Sequence, residues 1–256
     1  MSRNEQSKPT VAAGKYWHES ARPLTSLAFV IPFLLFYEVG VLTLGPLAIR
    51  NAADVWLRTW LDFIGFGQYF LLPILTCGAL LAWHHATGQP WRFRGHVLYG
   101  MWIESMLFGL LLLVLAVSQR ALFSTILPAA SAPSSGHGGF WALMVGYVGA
   151  GIYEELLFRL LLLPAVLGAF RLTGLSRRLS TFAAVVTVSL LFSAAHYQFD
   201  VVIAGQAFSM PYGDSFAWYS FLFRFSAGVF FSLLFWYRGF GIAVGTHAIY
   251  DLYTLY

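Results

Sequence analysis

Residues Gly151–Leu163 read GIYEELLFRLLLL, with three ionisable side chains, Glu154, Glu155 and Arg159, inside an otherwise unbroken apolar run. An ionised side chain near the centre of a bilayer costs from ~2.5 to more than ~10 kcal/mol on different scales, so such groups persist where they pair or line a wet cavity. Helix geometry sorts the three. Glu155 and Arg159 are four apart with the acid first, the favourable order for an ion pair along one face. Glu154 points about 100° away from Glu155 on a helix, and its own segment offers it no partner. A carboxyl so placed in a low-dielectric site is a candidate general base or acid. The bland alternative is that all three simply tie helices together.

Composition sets the class around that stretch. Of 256 residues, 59% are hydrophobic and only 10% charged, where soluble domains approach about a quarter charged. The chain therefore reads as a polytopic membrane protein, and its 9 Trp and 13 Tyr suit anchoring at the headgroup level. The formal charge of +4 comes from loops and tail. It speaks to orientation in the membrane and not to a nucleic-acid partner. Cys77 is the single cysteine, which excludes an intrachain disulfide and a thiolate metal cluster.

Residues 1–23 are polar and read as a cytoplasmic tail; the apolar run that follows is too long for an export signal and lacks a small-residue cleavage site. Residues 24–256 read as one transmembrane domain of all-α class, a helical bundle. Apolar stretches long enough to span are Leu24–Leu44, Phe63–Trp83, Val97–Val117 and Phe140–Leu163, followed by the less ideal Thr181–Tyr197, Phe216–Tyr237 and Phe240–Tyr256. Val201–Ser209 is a candidate re-entrant or interfacial piece, so seven or eight spans are expected. With the N-terminus inside, ten Lys or Arg fall in inner segments and three, Arg50, Arg58 and Arg120, in outer ones, which supports that orientation. Pro128–Gly139 reads as a flexible outer loop. Glu38, Glu104 and Arg224 each sit alone in a span, where an interhelical pair is the expected explanation.

Two more polar sites lie in the later spans. Phe192 and His196 are four apart and share a helix face, and so are His247 and Asp251, which puts imidazole and carboxylate side by side. A buried histidine beside a carboxylate has a fixed tautomer, an arrangement suited to binding water or polarising a carbonyl. Singly, each histidine reads best as a hydrogen-bonded core residue. Together the sites point to one polar cavity between the later helices.

Glu154-Glu155-x-x-x-Arg159, Phe192-x-x-x-His196 and His247-x-x-x-Asp251 resemble, in order and spacing, the motifs of the CAAX protease and bacteriocin-processing (CPBP, or Abi) intramembrane endopeptidases. The resemblance covers a core at about residues 140–252. It implies hydrolysis of a peptide bond in a membrane-embedded or membrane-attached protein, with Glu154 as general base for a water also held by His196. His247 and Asp251 would attend the oxyanion, and Glu155 and Arg159 would form the supporting ion pair. Asp251 departs from the asparagine often found there, and an ionised aspartate cannot donate to an oxyanion. It must then be protonated, orient His247, or bind a metal. Glu154, His196, His247 and Asp251 make an acceptable zinc set, but no HExxH helix fixes such a site, so the metal-free, glutamate-type reading is preferred and no cofactor is expected. In length the chain resembles the family's short prokaryotic members, which implies a plasma-membrane location. The competing readings are a non-hydrolytic scaffold of the same architecture and a proton-coupled transporter using Glu154 as its relay.

Overall fold

The computed structural model describes residues 8–67, 69–126, 139–203, 206–210 and 213–255. The Pro128–Gly139 loop, apart from Gly139, and the first seven residues of the tail lie outside the described residues. Part of the expected tail is helical, as α1 (Lys8–Ser20), with Glu19 and Ser20 buried. The run after it folds as α2 (Pro23–Leu44), with Pro23 in the first helical turn, where its missing N–H costs nothing. Gly45, at φ 53°, ends it.

A helix the apolar pattern does not announce follows, α3 (Ala52–Phe63). Asn51 is its N-cap, the Oδ1 accepting from the Ala53 N–H at 2.8 Å, and Asp54 lies in its first turn, where the helix dipole favours an acid. Next come α4 (Leu71–Ala86) and the long α5 (Gly95–Ile126).

The deciding stretch is broken. Helix α6 (Phe140–Glu154) ends at the first glutamate, Glu155–Leu162 continues as a π-helix, and α7 (Leu163–Leu172) resumes the α pattern. Pro164 contributes to this, because it lacks the N–H that would close an α-turn on Leu160. Wide π turns are rare and occur mostly at functional sites.

The remaining elements are α8 (Arg177–Ala194), strands β1 (Phe199–Ile203) and β2 (Gln206–Met210), α9 (Trp218–Arg238) and α10 (Phe240–Tyr253). The all-α class holds. The two strands fall where a re-entrant or interfacial segment is expected, and they form an antiparallel hairpin in which Val201 stands opposite Phe208. Among the described residues, four helices are long and apolar enough to cross a membrane, Pro23–Leu47 (with the 3-10 turn that extends α2), Gly95–Ser124, Arg177–Ala194 and Trp218–Arg238. The other expected spans are shorter as helices: Leu71–Ala86 has 16 residues and Phe240–Tyr253 has 14, and the π segment interrupts the run from Phe140.

The chain divides into two compact units, one of Met1–Leu110, Gly138–Leu157 and Leu233–Tyr256, the other of Leu111–His137 and Phe158–Ser232. In the first, α6 packs against α2, α3 and α10, and α4 against α2. Phe29, Tyr37, Leu80, Tyr153 and Ile242 are its wholly buried apolar centre, while Leu35, Val39 and Leu42 of α2 are exposed, as a lipid-facing stripe requires. In the second, α7 packs on α8.

The isolated charges are paired, Glu38 and Glu104 between helices as expected and Arg224 with an acid in the segment before α9. Glu38 meets Arg58 at 3.0 Å, Glu104 meets Arg238 at 2.5 Å, and Arg224 bonds Asp214.

The close approach of α6 and α10 depends on Gly151. A Cβ there would lie 2.7 Å from both the backbone N and the Cβ of Ala248, and backbone cannot yield cheaply. Gly151→Ala is expected to cost about 1–3 kcal/mol, as overpacking does. Thermal unfolding in detergent, followed by the fluorescence of the 9 Trp, should fall by about 2–4 °C per kcal/mol.

Candidate active site

Within the first unit, both glutamates of α6 and its π continuation reach one imidazole from α10. His247 Nδ1 lies 2.7 Å from Glu155 Oε1. An ionised carboxylate only accepts, so Nδ1 carries the proton and donates, which fixes the tautomer. The Nε2 of the same ring then faces Glu154 Oε2 at 3.8 Å and Asp251 Oδ2 at 3.6 Å. All of this is shielded: Glu155 is fully buried, and Glu154 and His247 are 7% and 5% exposed. The i,i+4 spacing of His247 and Asp251 thus projects the two together, as the sequence implies.

Within its own segment Glu154 has no expected partner. It finds one elsewhere: Asn51 Nδ2 donates to its Oε1 at 2.6 Å. Glu155 likewise has a role beyond the expected pairing with Arg159, because it accepts from His247 Nδ1. Neither role is legible in spacing within a motif. The signal for Asn51 is the local pattern Asn-Ala-Ala-Asp, an N-cap with an acid in the first turn.

Asn51 stands at the head of a helix that is itself pinned. Asp54 accepts from Tyr37 at 2.9 Å and from Arg58 Nε at 2.6 Å, and it pairs with Arg50 at 3.3 Å. Glu38 takes both Arg58 and the hydroxyl of Tyr153, the residue before Glu154, at 2.5 Å. A cavity of about 420 Å³ opens over α3, lined by Arg50, Arg58, Asp62 and Tyr69 among others, and none of the candidate catalytic residues lines it.

The second unit holds His196, Arg159 and Phe192. His196 lies just past the end of α8, and its Nδ1 donates to the Phe192 carbonyl at 2.7 Å, so this ring too offers Nε2 for chemistry. The Phe192 ring stands edge-on to the imidazole at 5.0 Å and beneath the Arg159 guanidinium at 4.3 Å. Arg159 is fully buried, which costs several kcal/mol for an isolated ion. The faces of Phe192, Phe231 and Phe158 offset that, at up to about 2 kcal/mol for a desolvated cation on a ring, and its Nη2 also donates to the Gly228 carbonyl at 3.3 Å. The spacing Phe192-x-x-x-His196 therefore has a physical content: one ring supports both the histidine and the arginine.

Among the described residues, no group of three or more His, Cys, Asp or Glu is placed to hold a metal ion. Of the four residues that could supply a zinc set on paper, Glu154 already has one oxygen engaged by Asn51.

These features fit an integral membrane protein of helices in which buried carboxylates are set around one imidazole. Residues 136–253 match the family model described as type II CAAX prenyl endopeptidase Rce1-like, and the match contains all three motifs. That segment, a little under half of the chain, is similar to the CAAX protease family of endopeptidases. No curated protein and no solved structure gives a significant match to the chain.

Proposed function

We propose that the chain is an intramembrane endopeptidase in which Glu154 activates the hydrolytic water. The observation that carries this reading is the pairing of Glu154 Oε2 with His247 Nε2 at 3.8 Å, a separation that one water oxygen can bridge, on a ring whose other nitrogen is held by Glu155. Glu154 removes a proton from water as its oxygen attacks the scissile carbonyl carbon. The proton then passes to the leaving amine as the C–N bond breaks, so one water is consumed and the carboxylate is regenerated. His196 holds the same water through its Nε2. His247, when protonated at Nε2, donates to the oxyanion, and Asp251 beside it stabilises that imidazolium. Glu155 and Arg159 support the arrangement.

The substrate is a polypeptide embedded in or anchored to the membrane, cut near one end of a hydrophobic segment. Both water and unwound backbone must reach a cavity walled by helices, and non-helical backbone at that depth is tolerated only where protein or water surrounds it. The setting is a prokaryotic plasma membrane with the N-terminus cytoplasmic. Helices α4, α6 to α7, and α10 join the four long ones to give seven crossings, with Val201–Ser209 the candidate eighth element.

The reaction is taken to be metal-free. The purified, lipid-reconstituted protein should cleave a membrane-tethered polypeptide with well under one zinc per chain and with chelators leaving the rate unchanged. Stoichiometric zinc that is lost together with activity would overturn the glutamate-type assignment. Substrate-dependent proton flux in liposomes, with no cleaved product, would replace the protease reading by that of a transporter.

A further inference from the structure

We infer that Asn51, which lies outside the family-matched segment, is a positioning residue that holds Glu154 for its reaction by engaging one carboxylate oxygen and leaving the other on the His247 side. The inference rests on the reading of Glu154 as the base. It starts from the amide itself. Asn51 Oδ1 accepts from the Ala53 N–H at 2.8 Å while Nδ2 donates to Glu154 Oε1 at 2.6 Å. The cap therefore determines which end of the amide faces the carboxylate, and that end is a donor.

Capping alone does not account for this residue type. Aspartate, serine or threonine cap a helix about as well, but none of them also presents an N–H pair to a carboxylate. Nor is the position loose. Asp54, three residues on and fully buried, is tied to Tyr37 of α2, and Arg58 of the same helix reaches Glu38, which also accepts from Tyr153 of α6. Helix α3 is thus fastened to both sides of the place where its N-cap meets Glu154. A group that must be held in a productive geometry needs such a supporting shell.

Three variants of the full-length protein, reconstituted in lipid, test this. Asn51→Ser keeps the cap and replaces the amide donor by a hydroxyl on a side chain too short to reach Glu154 as the amide does; the expected result is an unfolding temperature close to wild type, a KM within about twofold of wild type, and a kcat lower by about tenfold to a hundredfold. Asn51→Asp keeps shape and cap but sets a second carboxylate against Glu154. Two acids that close share a proton, so this variant should gain a protonated-carboxyl stretch in the infrared and lose several degrees of unfolding temperature. Asn51→Asp combined with Glu154→Gln exchanges donor and acceptor. It should recover the unfolding temperature lost in Asn51→Asp and lose the infrared band, yet hydrolyse nothing. A wild-type kcat in folded Asn51→Ser, or no recovery of stability in the exchange, overturns the inference. Recovery in the exchange with no hydrolysis by the wild-type chain leaves the Asn51–Glu154 pairing standing and sinks the protease reading instead.

Discussion

Glu154→Gln is expected to lower the turnover of the lipid-reconstituted protein by about 10²- to 10⁴-fold, the range that a positioned general base supplies, while the chain stays folded and inserted. The substitution keeps volume and removes the basic oxygen. Its surroundings make the loss worse than the bare removal of a charge. Asn51 Nδ2 approaches Oε1 at 2.6 Å, so the new amide must turn its oxygen toward Asn51. Its N–H₂ then points to the side where His247 Nε2 lies, 3.8 Å from the other carboxylate oxygen in the native protein. A donor stands where the chemistry requires an acceptor, and a water in that position has nothing to take its proton. Mass spectrometry of a membrane-tethered substrate gives the rate, and the unfolding temperature shows that the fold survives. Cleavage at the normal rate by a folded Glu154→Gln protein would remove Glu154 from the mechanism. In cells, the same variant should fail to restore processing in a strain lacking the protein; restoration would mean that the chain serves another protease as a scaffold.

The parts of the site that could be read from sequence are those whose geometry is local. His247 and Asp251 share a helix face because four residues nearly complete a turn, and the 3.6 Å approach on α10 follows from that alone. Phe192 and His196 are legible for the same reason. Helix α2 also follows its apolar run almost residue for residue.

What sequence could not supply depends on packing between distant segments. Adjacent glutamates on a helix point about 100° apart, which argues for separate environments, yet both reach the same imidazole, one at each ring nitrogen. That convergence requires α10 to lie against α6 as closely as Gly151 permits. The amide that Glu154 accepts from lies 103 residues upstream, at the head of a short helix whose Arg58 reads only as an outer-segment charge. Asp54 and Arg58 of that helix are in fact struts of a partly buried network. The number of crossings is blurred by the π-helical stretch from Glu155 to Leu162, because an unbroken apolar run carries no mark of where the backbone widens. A glutamate pair and an arginine shortly before Pro164 are the nearest thing to a sign of it.

Glu155→Gln should lower kcat by about tenfold to a hundredfold with KM nearly unchanged, the usual effect of removing a group that orients a catalytic histidine. Glu155 is fully buried, and its carboxylate accepts from His247 Nδ1 at 2.7 Å. As an anion it can accept only, which commits Nδ1 to carrying a proton and turns Nε2 toward Glu154 and Asp251. An amide in the same place offers a donor as well as an acceptor, so the ring is no longer committed. Molecules with the lone pair on Nδ1 lose the alignment that the carboxylate of Glu155 imposes on the ring. An imidazolium formed during turnover would also lose the anion that stabilises it, and where an aspartate does this for a catalytic histidine in serine proteases its loss costs about 10⁴-fold. Here Asp251 lies 3.6 Å from the same ring and compensates in part, which is why the smaller figure is expected. Nitrogen-15 spectra of the ring should show a single tautomer in the wild-type chain and a mixture in Glu155→Gln, with unfolding temperatures that differ by far less than the rates. A variant that keeps both the wild-type kcat and a single Nδ1–H tautomer would show that Glu155 serves only to hold the helices together.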